Sequence, residues 1–247
     1  MVLRLNKLYR GDCLEIMPTI PDKSIGMILC DLPYGTTACK WDVIIPFEPL
    51  WKEYKRVIKD RGCIALFGSE PFSSYLRMSN IKNYKYDWIW NKVKPSNHLN
   101  AKIQPLRLFE NIIIFSDLPC RYFPIMSERN KPFTGTDKGT QETYGKTSGG
   151  YTKTYTQKYP DGHLIFPKIT SMTHPTQKPV ALLEYLIKTY TLENETILDN
   201  CMGSGSTGVA CINTNRNFIG IEKEENYFHI AQKRINEAIE QKQSELF

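Results

Sequence analysis

The chain has 247 residues, of which 41% are hydrophobic and 12% aromatic, and it carries a net charge of +6. This composition suffices for a full hydrophobic core and excludes a chain that is disordered throughout. No apolar run approaches the roughly 18 residues that span a bilayer, and the N-terminus lacks the apolar segment of a signal peptide, so we expect a cytoplasmic protein without a membrane segment.

The first 116 residues alternate between strand and helix patterns, which is typical of a doubly wound α/β sheet. KLYRGD is a short strand that enters a turn, and the continuously apolar run SIGMILCD predicts a buried parallel strand. Apolar residues at helical spacing in FEPLWKEYKRVIKDRG predict a helix with Gly62 beyond its end. CIALFGS is the next strand, EPFSSYLRMSN a short helix, and YKYDWIW and FENIIIFS are two more strands.

The alternation stops between residues 117 and 173. This segment is rich in Gly, Thr, Lys and Tyr and has no sustained apolar period, so we expect an irregular insertion. Between Leu118 and Lys168 there are eight basic and four acidic residues, so this segment carries most of the excess positive charge. Basic residues interleaved with Tyr suit contacts to phosphates and bases, although a solvated loop is the alternative.

Regular patterns resume between residues 174 and 247. TQKPVALLEYLIKTY is an amphipathic helix, ETILDN is a strand that ends in Asp199, and CMGSGSTGVACINTN is a glycine-rich turn that runs into a helix. NFIGIE is a strand that ends in Glu222, and EENYFHIAQKRINEAIEQK is a long final helix. The seven cysteines form no C-x-x-C pair and the four histidines are scattered, so we expect no metal site.

The segment ILDNCMGSGSTGVA has the features of a nucleoside site. A strand ends at Asp199, Gly203 and Gly205 allow a tight turn, and a helix starts near Ser206. Glu222 ends the next strand, where an acid can accept both ribose hydroxyls. The spacing is neither that of a P-loop nor G-x-G-x-x-G, so it favours a methionine-bearing nucleoside over a dinucleotide. A plain strand-to-helix connection is the alternative.

The segment DLPYG follows a buried strand and offers groups suited to an exocyclic amine on a nucleobase. Such an amine is a poor nucleophile because its lone pair is delocalised into the ring. The Asp31 carboxylate and the Leu32 carbonyl can accept its two N–H bonds, and Pro33 restrains the loop. Tyr34 can stack on a base that has been flipped out of a duplex.

Together, DLPYG, NCMGSGST and THPTQKP resemble the motifs of the DNA amino-methyltransferases, which use S-adenosylmethionine to methylate adenine N6 or cytosine N4. Their order resembles the β group, a circular permutation of the usual methyltransferase sheet. The resemblance implies a doubly wound, mostly parallel α/β sheet with an irregular target-recognition insertion. Residues 1–116 would form the catalytic half, 117–173 the insertion, and 174–247 the cofactor-binding half of the same domain.

The resemblance also implies roles for individual residues. The catalytic loop corresponds to Asp31, Leu32, Pro33 and Tyr34. The residues expected to contact S-adenosylmethionine are Asp12, Cys13, Asp31, His174, Thr176, Lys178, Asp199, Cys201, Gly203, Ser204, Gly205, Thr207 and Glu222. A segment near the target base corresponds to Trp90, Asn91 and Lys92. For Asp12 a turn acid is the alternative role, and for His174 and Lys178 a plain loop and a solvated helix start.

Two positions depart from the family pattern. Leu32 stands where the family usually has proline, which keeps the carbonyl but loosens the loop. Asn200 and Cys201 stand where proline and phenylalanine are usual, which removes a packing surface from the cofactor pocket.

These motifs predict a DNA methyltransferase that acts on adenine N6, because an initial Asp rather than Ser in the tetrapeptide favours adenine. Cytosine N4 is the alternative within the class. A methyltransferase of RNA, protein or small molecules and a non-catalytic DNA-binding module with a decayed cofactor site are the alternatives outside it. The expected partners are double-stranded DNA and S-adenosylmethionine, and a homodimer and a partner restriction nuclease are left open. The resemblance implies a bacterial, archaeal or phage-encoded protein.

Overall fold

A computed structural model of the chain describes residues 4–37, 39–137, 150–169 and 177–244. The strands in these ranges are β1 Lys7–Arg10, β2 Ile25–Cys30, β3 Ile58–Gly68, β4 Tyr84–Ser96, β5 Arg107–Phe115, β6 Ser127–Asp137, β7 Tyr151–Lys158, β8 His163–Ile165, β9 Thr196–Asp199 and β10 Asn217–Glu222. The α-helices are α1 Cys13–Ile16, α2 Phe47–Val57, α3 Phe72–Ser79, α4 Val180–Tyr190, α5 Ser206–Asn213 and α6 Glu225–Ser244. None of the described helices is long and apolar enough to cross a membrane.

The central sheet has eight strands in the order β1-β10-β9-β2-β3-β5-β4-β8. The first five of these are parallel to one another, β5 is antiparallel to both β3 and β4, and β8 is parallel to β4. Strands β9 and β10, which come late in the chain, lie between β1 and β2, which come early. The mostly parallel, permuted α/β fold expected from the motif order is thereby confirmed.

Both faces of this sheet are buried, which explains why its central strands are continuously apolar. In β2, Met27 and Leu29 pack in one hydrophobic cluster with residues of α4, α5 and α6. Ile28 and Cys30 point to the other face and pack with residues of α1, α2 and α3. Helices α1 to α3 and helices α4 to α6 therefore cover opposite faces of one sheet.

Two sequence-based expectations about regular structure were wrong. The helix expected to continue toward Gly62 ends at Val57, because Ile58 adopts an extended conformation and joins β3 beside Ile25 of β2. The insertion is not irregular throughout, because it contains β6, β7 and β8. Trp88 and Trp90 of β4 are both buried and belong to the core.

The chain divides into two compact units, and residues Pro124–Asp161 form the smaller one. Its described part is an antiparallel hairpin of β6 and β7, in which Thr134 faces Thr154 and their hydroxyls are 2.9 Å apart. The Arg129 guanidinium lies 5.4 Å from the centre of the Phe133 ring. Threonine and aromatic residues favour strands and form stabilising cross-strand pairs, so this hairpin forms without an apolar period.

Candidate active site

The predicted functional residues converge at the carboxyl ends of the parallel strands. Strands β2 and β9 are neighbours, but the chain leaves β9 toward β10 and leaves β2 toward β3, on opposite sides. Such a reversal opens a crevice at the strand ends, where α/β proteins bind ligands. Asp31 and Asp199 lie at this point, with Glu222 after β10 and Asp12 after β1. All four carboxylates line one cavity of about 350 Å³.

Most of the residues predicted from the motifs line this cavity. They are Asp12, Cys13, Asp31, Leu32, Pro33, Tyr34, Lys178, Asp199, Cys201, Gly203, Ser204, Thr207 and Glu222. Gly205 is described but does not line the cavity. His174 and Thr176 lie outside the described residues.

Asp31 makes polar contacts through both of its carboxylate oxygens. The Lys178 ammonium donates to Oδ2 at 2.5 Å, and the Tyr34 hydroxyl donates to Oδ1 at 2.7 Å. Burial raises the pKa of Asp31, and the positive charge of Lys178 offsets part of that shift. Asp31 is therefore a half-buried acceptor whose ionised form depends on a neighbouring cation.

The aromatic ring of the DLPYG segment is held from one side. The Tyr34 ring stacks on Phe72 of α3, with centroids 4.8 Å apart and an interplanar angle of 20°. The Leu32 side chain is 3% exposed and packs in the hydrophobic cluster on the same face of the sheet. The leucine that replaces the usual proline is thus anchored by core packing.

Glu222 is fixed by two backbone amides. Its Oε2 accepts from the Gly203 N–H at 2.7 Å, and its Oε1 accepts from the Glu224 N–H at 2.8 Å. Each ionised carboxylate oxygen has two acceptor positions, so one on each oxygen is left for a ligand. Burial raises the pKa of Glu222, and the two amides oppose that shift.

Asp199 lies at the centre of the crevice and is more deeply buried than Glu222, with 4% of its surface exposed. Its Oδ1 accepts from the Cys201 N–H at 3.1 Å. Burial is the main reason that the pKa of Asp199 is raised to about 6, and the nearby charge of Asp31 acts in the same direction. Among the described residues, no cation is a main cause of the pKa shift of Asp199, so a positively charged ligand would be attracted to its ionised carboxylate.

Asp12 has a structural role as well as its place in the cavity. It caps α1 by accepting from the Leu14 N–H at 2.9 Å, and its other oxygen lies 3.0 Å from the Lys223 ammonium. Partial burial acts to raise the pKa of Asp12, but these two donors outweigh it and lower the pKa. Asp12 therefore serves in the turn before α1 and also lines the cavity, so the two alternative roles expected for it do not exclude each other.

The glycine-rich turn contains two glycines with different roles. Gly203 has φ of 55° and brings its N–H to Glu222, so its left-handed backbone shapes the cavity wall. Gly205 has φ of 83° and caps α5, and a Cβ on it would lie 2.9 Å from the Cα of Ala231 in α6. Helix packing is one reason for a glycine at this position, and the expected contact of Gly205 with the cofactor stays a prediction.

The two departures in the cofactor loop are held by polar contacts. The Tyr54 hydroxyl donates to Asn200 Oδ1 at 2.5 Å, which ties the loop to α2. The Asn200 amide in turn lies 3.6 Å from the Cys201 sulfur. Cys201 is half-buried and packs against the cluster that contains Cys13. The loop is thus anchored without the usual phenylalanine ring.

Sequence reasoning missed one acid near the site, Glu110 of β5. Its Oε1 lies 3.2 Å from the Lys92 ammonium, and its Oε2 lies 3.4 Å from the Lys178 ammonium. Burial acts to raise the pKa of Glu110, but the two lysines outweigh it and lower the pKa. A lone acid at the start of the apolar run FENIIIF was the available signal. The prediction that Lys92 lies near the target-base pocket stays a prediction, and its carboxylate partner is a finding.

The sequence of the chain is similar to those of known DNA methyltransferases. A family model described as DNA methylase matches residues 25–233. The type II methyltransferase M.HinfI of Haemophilus influenzae is 28% identical over 261 residues, which cover 94% of this chain and 69% of that protein. The type II methyltransferase M2.MboI of Moraxella bovis is 26% identical, and the match covers 93% of this chain and 87% of that protein.

Solved structures share the fold. The M1.HpyAVI–SAM complex superposes with a TM-score of 0.62 at 25% identity, over 93% of this chain and 98% of that one. The cytosine-N4-specific PvuII DNA methyltransferase also gives a TM-score of 0.62, at 15% identity and over 96% of this chain and 92% of that one. At that identity the second likeness concerns the fold alone.

Proposed function

The chain belongs to the DNA methylase family that matches residues 25–233, and from this premise we propose that its substrate is the N6 amine of an adenine in duplex DNA. The resemblance predicted from the motifs is thereby confirmed. The protein is an S-adenosylmethionine-dependent DNA methyltransferase. The finer assignment to adenine rests on Asp31 as the first residue of the catalytic loop.

The residues of the cavity fit S-adenosylmethionine. A volume of about 350 Å³ lies within the range of about 300–1,000 Å³ that is usual for small-molecule sites. When bound, the cofactor supplies a methyl group on a positively charged sulfonium. Glu222 would accept from the ribose hydroxyls through its free acceptor positions, Asp12 would lie near the adenine, and Asp199 would face the cationic end.

The single observation that carries the proposal is the position of Asp31. Strand β2 delivers its carboxylate into the same cavity that Asp12, Asp199 and Glu222 line. Asp31 and the Leu32 carbonyl would accept the two N–H bonds of the target amine, which localises the nitrogen lone pair. The Asp31 carboxylate is then placed to take the proton that the nitrogen loses as its new bond to carbon forms.

We assign base stacking to Tyr34, on the ring face opposite Phe72. Phe72 supports one face of the Tyr34 ring at 4.8 Å, so the ring is fixed before a base arrives. A fixed aromatic platform stabilises a flipped base by about 1–3 kcal/mol in single-strand binders. The hydroxyl bond from Tyr34 to Asp31 sets the ring and the carboxylate in one geometry.

We assign recognition of DNA to the β6–β7 hairpin. Its strands carry Arg129, Lys131, Lys153 and Lys158, with exposed rings at Phe133 and Tyr151. Two-stranded ribbons with basic residues fit the major groove of DNA. A homodimer, a partner restriction nuclease and a cytoplasmic setting stay predictions.

The test is expression in a host that lacks DNA methylation, followed by long-read sequencing that maps modified bases. We expect N6-methyladenine at one short recurring sequence, and no modification with Asp31→Asn. N4-methylcytosine in place of methyladenine would overturn the adenine assignment. An unmodified genome with a folded wild-type protein would overturn the proposed function.

A further inference from the structure

A row of alternating charges leads away from the catalytic carboxylate into the protein. From the inside outward its members are Lys92, Glu110, Lys178 and Asp31, separated by 3.2, 3.4 and 2.5 Å. The two lysine side chains are 7% and 8% exposed, so these charges are removed from water. Buried charges persist only where they are paired. The paired contacts of this row are therefore needed to keep its charges stable inside the protein.

Glu110 is only partly satisfied within this row. Its Oε1 accepts from Lys92, but its Oε2 is buried and accepts no hydrogen bond from any residue that the structure describes. The Lys178 ammonium is 3.4 Å away, close enough for an ion pair but without hydrogen-bond geometry. A buried oxygen without a donor is rare in native proteins and calls for an explanation.

The Lys178 ammonium lies within ion-pair distance of two carboxylates, those of Asp31 and Glu110. It lies 5.0 Å from the centre of the Phe67 ring and 6.0 Å from that of Trp90, so aromatic faces stabilise the cation beside both carboxylates. Lys178 and Tyr34 each take one acceptor position on Asp31, so a target amine that binds Oδ2 has to share this oxygen with the Lys178 ammonium. Of these two donors, Lys178 is the one that has a second carboxylate within reach.

We propose that Glu110 is a positioning residue that receives the Lys178 ammonium when the target amine takes its place on Asp31. The inference rests on the proposed function, because it concerns the amine that Asp31 would bind. It also accounts for the unsatisfied Oε2, since this oxygen is the second resting position of the cation. Lys178 thus stays near Asp31 as a countercharge while it leaves the acceptor open.

The charges of Glu110 and Lys178 affect the pKa of Asp31, so the proposal predicts changes in the pH dependence of kcat. The charged and titratable groups that face Asp31, directly or through Lys178, are Lys178, Tyr34, Glu110, Asp199, Cys30 and Lys92. The negative charge of Glu110 raises the pKa of Asp31, and the positive charge of Lys178 lowers it. The acid limb of kcat should therefore move to lower pH in Glu110→Gln and to higher pH in Lys178→Met.

The experiment measures methyl transfer to a DNA duplex that contains the mapped target site. In Glu110→Gln, Lys178 has no second partner and stays on Asp31, so we expect kcat at its plateau pH to fall by about 100-fold. The Kd for S-adenosylmethionine, measured by calorimetry, should stay within about threefold of wild type. Glu53→Gln is the matched control, because Glu53 is a similarly buried glutamate paired with Arg56 in α2 and lies outside the cavity.

A double-mutant cycle separates this role from a merely structural one. Without Lys178 there is no cation to receive, so Glu110→Gln should leave the plateau kcat of Lys178→Met unchanged. Independent losses in the double variant, a kcat of Glu110→Gln within threefold of wild type, or acid limbs that shift in the same direction would each overturn the proposal. If Lys178→Met does not fold, the acid limb of Glu110→Gln decides: a shift to lower pH supports the proposal and an unshifted limb overturns it. An inactive wild-type enzyme would instead count against the proposed function.

Discussion

Replacement of Glu222 by glutamine tests the assignment of the nucleoside pocket. The two carboxylate oxygens accept one backbone N–H each, from Gly203 and Glu224. An amide group can serve only one of them, and its NH₂ faces the other donor. An unsatisfied buried N–H costs about 1–3 kcal/mol. Because burial already disfavours the Glu222 charge, the free energy of unfolding should fall by only about 1 kcal/mol.

The effect on the cofactor should be larger than the effect on the fold. A hydrogen bond to a charged acceptor contributes about 1.5–3 kcal/mol, which corresponds to a Kd roughly 10- to 150-fold weaker. Isothermal titration calorimetry measures this change for S-adenosylmethionine. Thermal melts of the free variant measure the change in stability separately.

A ligand that lacks one hydroxyl localises the contact. The loss caused by Glu222→Gln should shrink for the 2′-deoxy analogue of S-adenosylhomocysteine relative to S-adenosylhomocysteine itself. Glu224→Gln is the matched control. It removes one charge from an exposed side chain that lies two residues after Glu222. Equal losses for Glu222→Gln and Glu224→Gln would show that only the overall potential matters, and the ribose assignment would be refuted.

Three further outcomes follow from the site. Because the pKa of Asp199 is raised to about 6, its charge is lost as the pH falls through that value, and affinity for the cationic cofactor should drop about tenfold per pH unit below it. In Asp199→Asn, the affinity measured by calorimetry should not change with pH. A pH dependence retained in that variant contradicts the assignment of Asp199 to the cationic end of the cofactor. Asp31→Asn should lower kcat by about 10³-fold while the Kd for S-adenosylmethionine stays within about threefold, and near-normal turnover would rule out the acceptor mechanism. Tyr34→Ala should weaken binding of target DNA by about 1–3 kcal/mol in a fluorescence titration, whereas Tyr34→Phe keeps the ring and should bind nearly as wild type; equal losses in both would exclude stacking.

The central part of the site was predictable because each key acid ends a strand. Asp31, Asp199 and Glu222 follow apolar runs in the sequence, and parallel strands bring their carboxyl ends to one edge of a sheet. The acids therefore had to meet once the strands were recognised as neighbours. The order of the motifs added the permutation, which the sheet order confirms.

Other features depend on contacts that no local pattern encodes. Glu110 reaches the site only because β5 runs antiparallel beside β3 and β4, so its position along the chain does not reveal its partners. Gly205 was predicted as a cofactor-binding glycine, and its close approach to Ala231, which is distant in sequence, could not be read from the local pattern. The β6–β7 hairpin escaped notice because cross-strand pairs stabilise it, without the buried face that produces an alternating apolar pattern.

The permuted sheet order has a consequence for how the protein is made. Strand β1 ends at Arg10, but its partner β10 ends at Glu222, and both β10 and β9 must enter between β1 and β2. At about 5–20 residues per second, a ribosome needs roughly 10 to 40 s to synthesise the chain between those two residues. During that interval β2 has an open edge on the side that β9 later covers. The DLPYG loop is thus translated long before the glycine-rich turn and β10, and the cavity that these segments line together cannot form until β10 has been made.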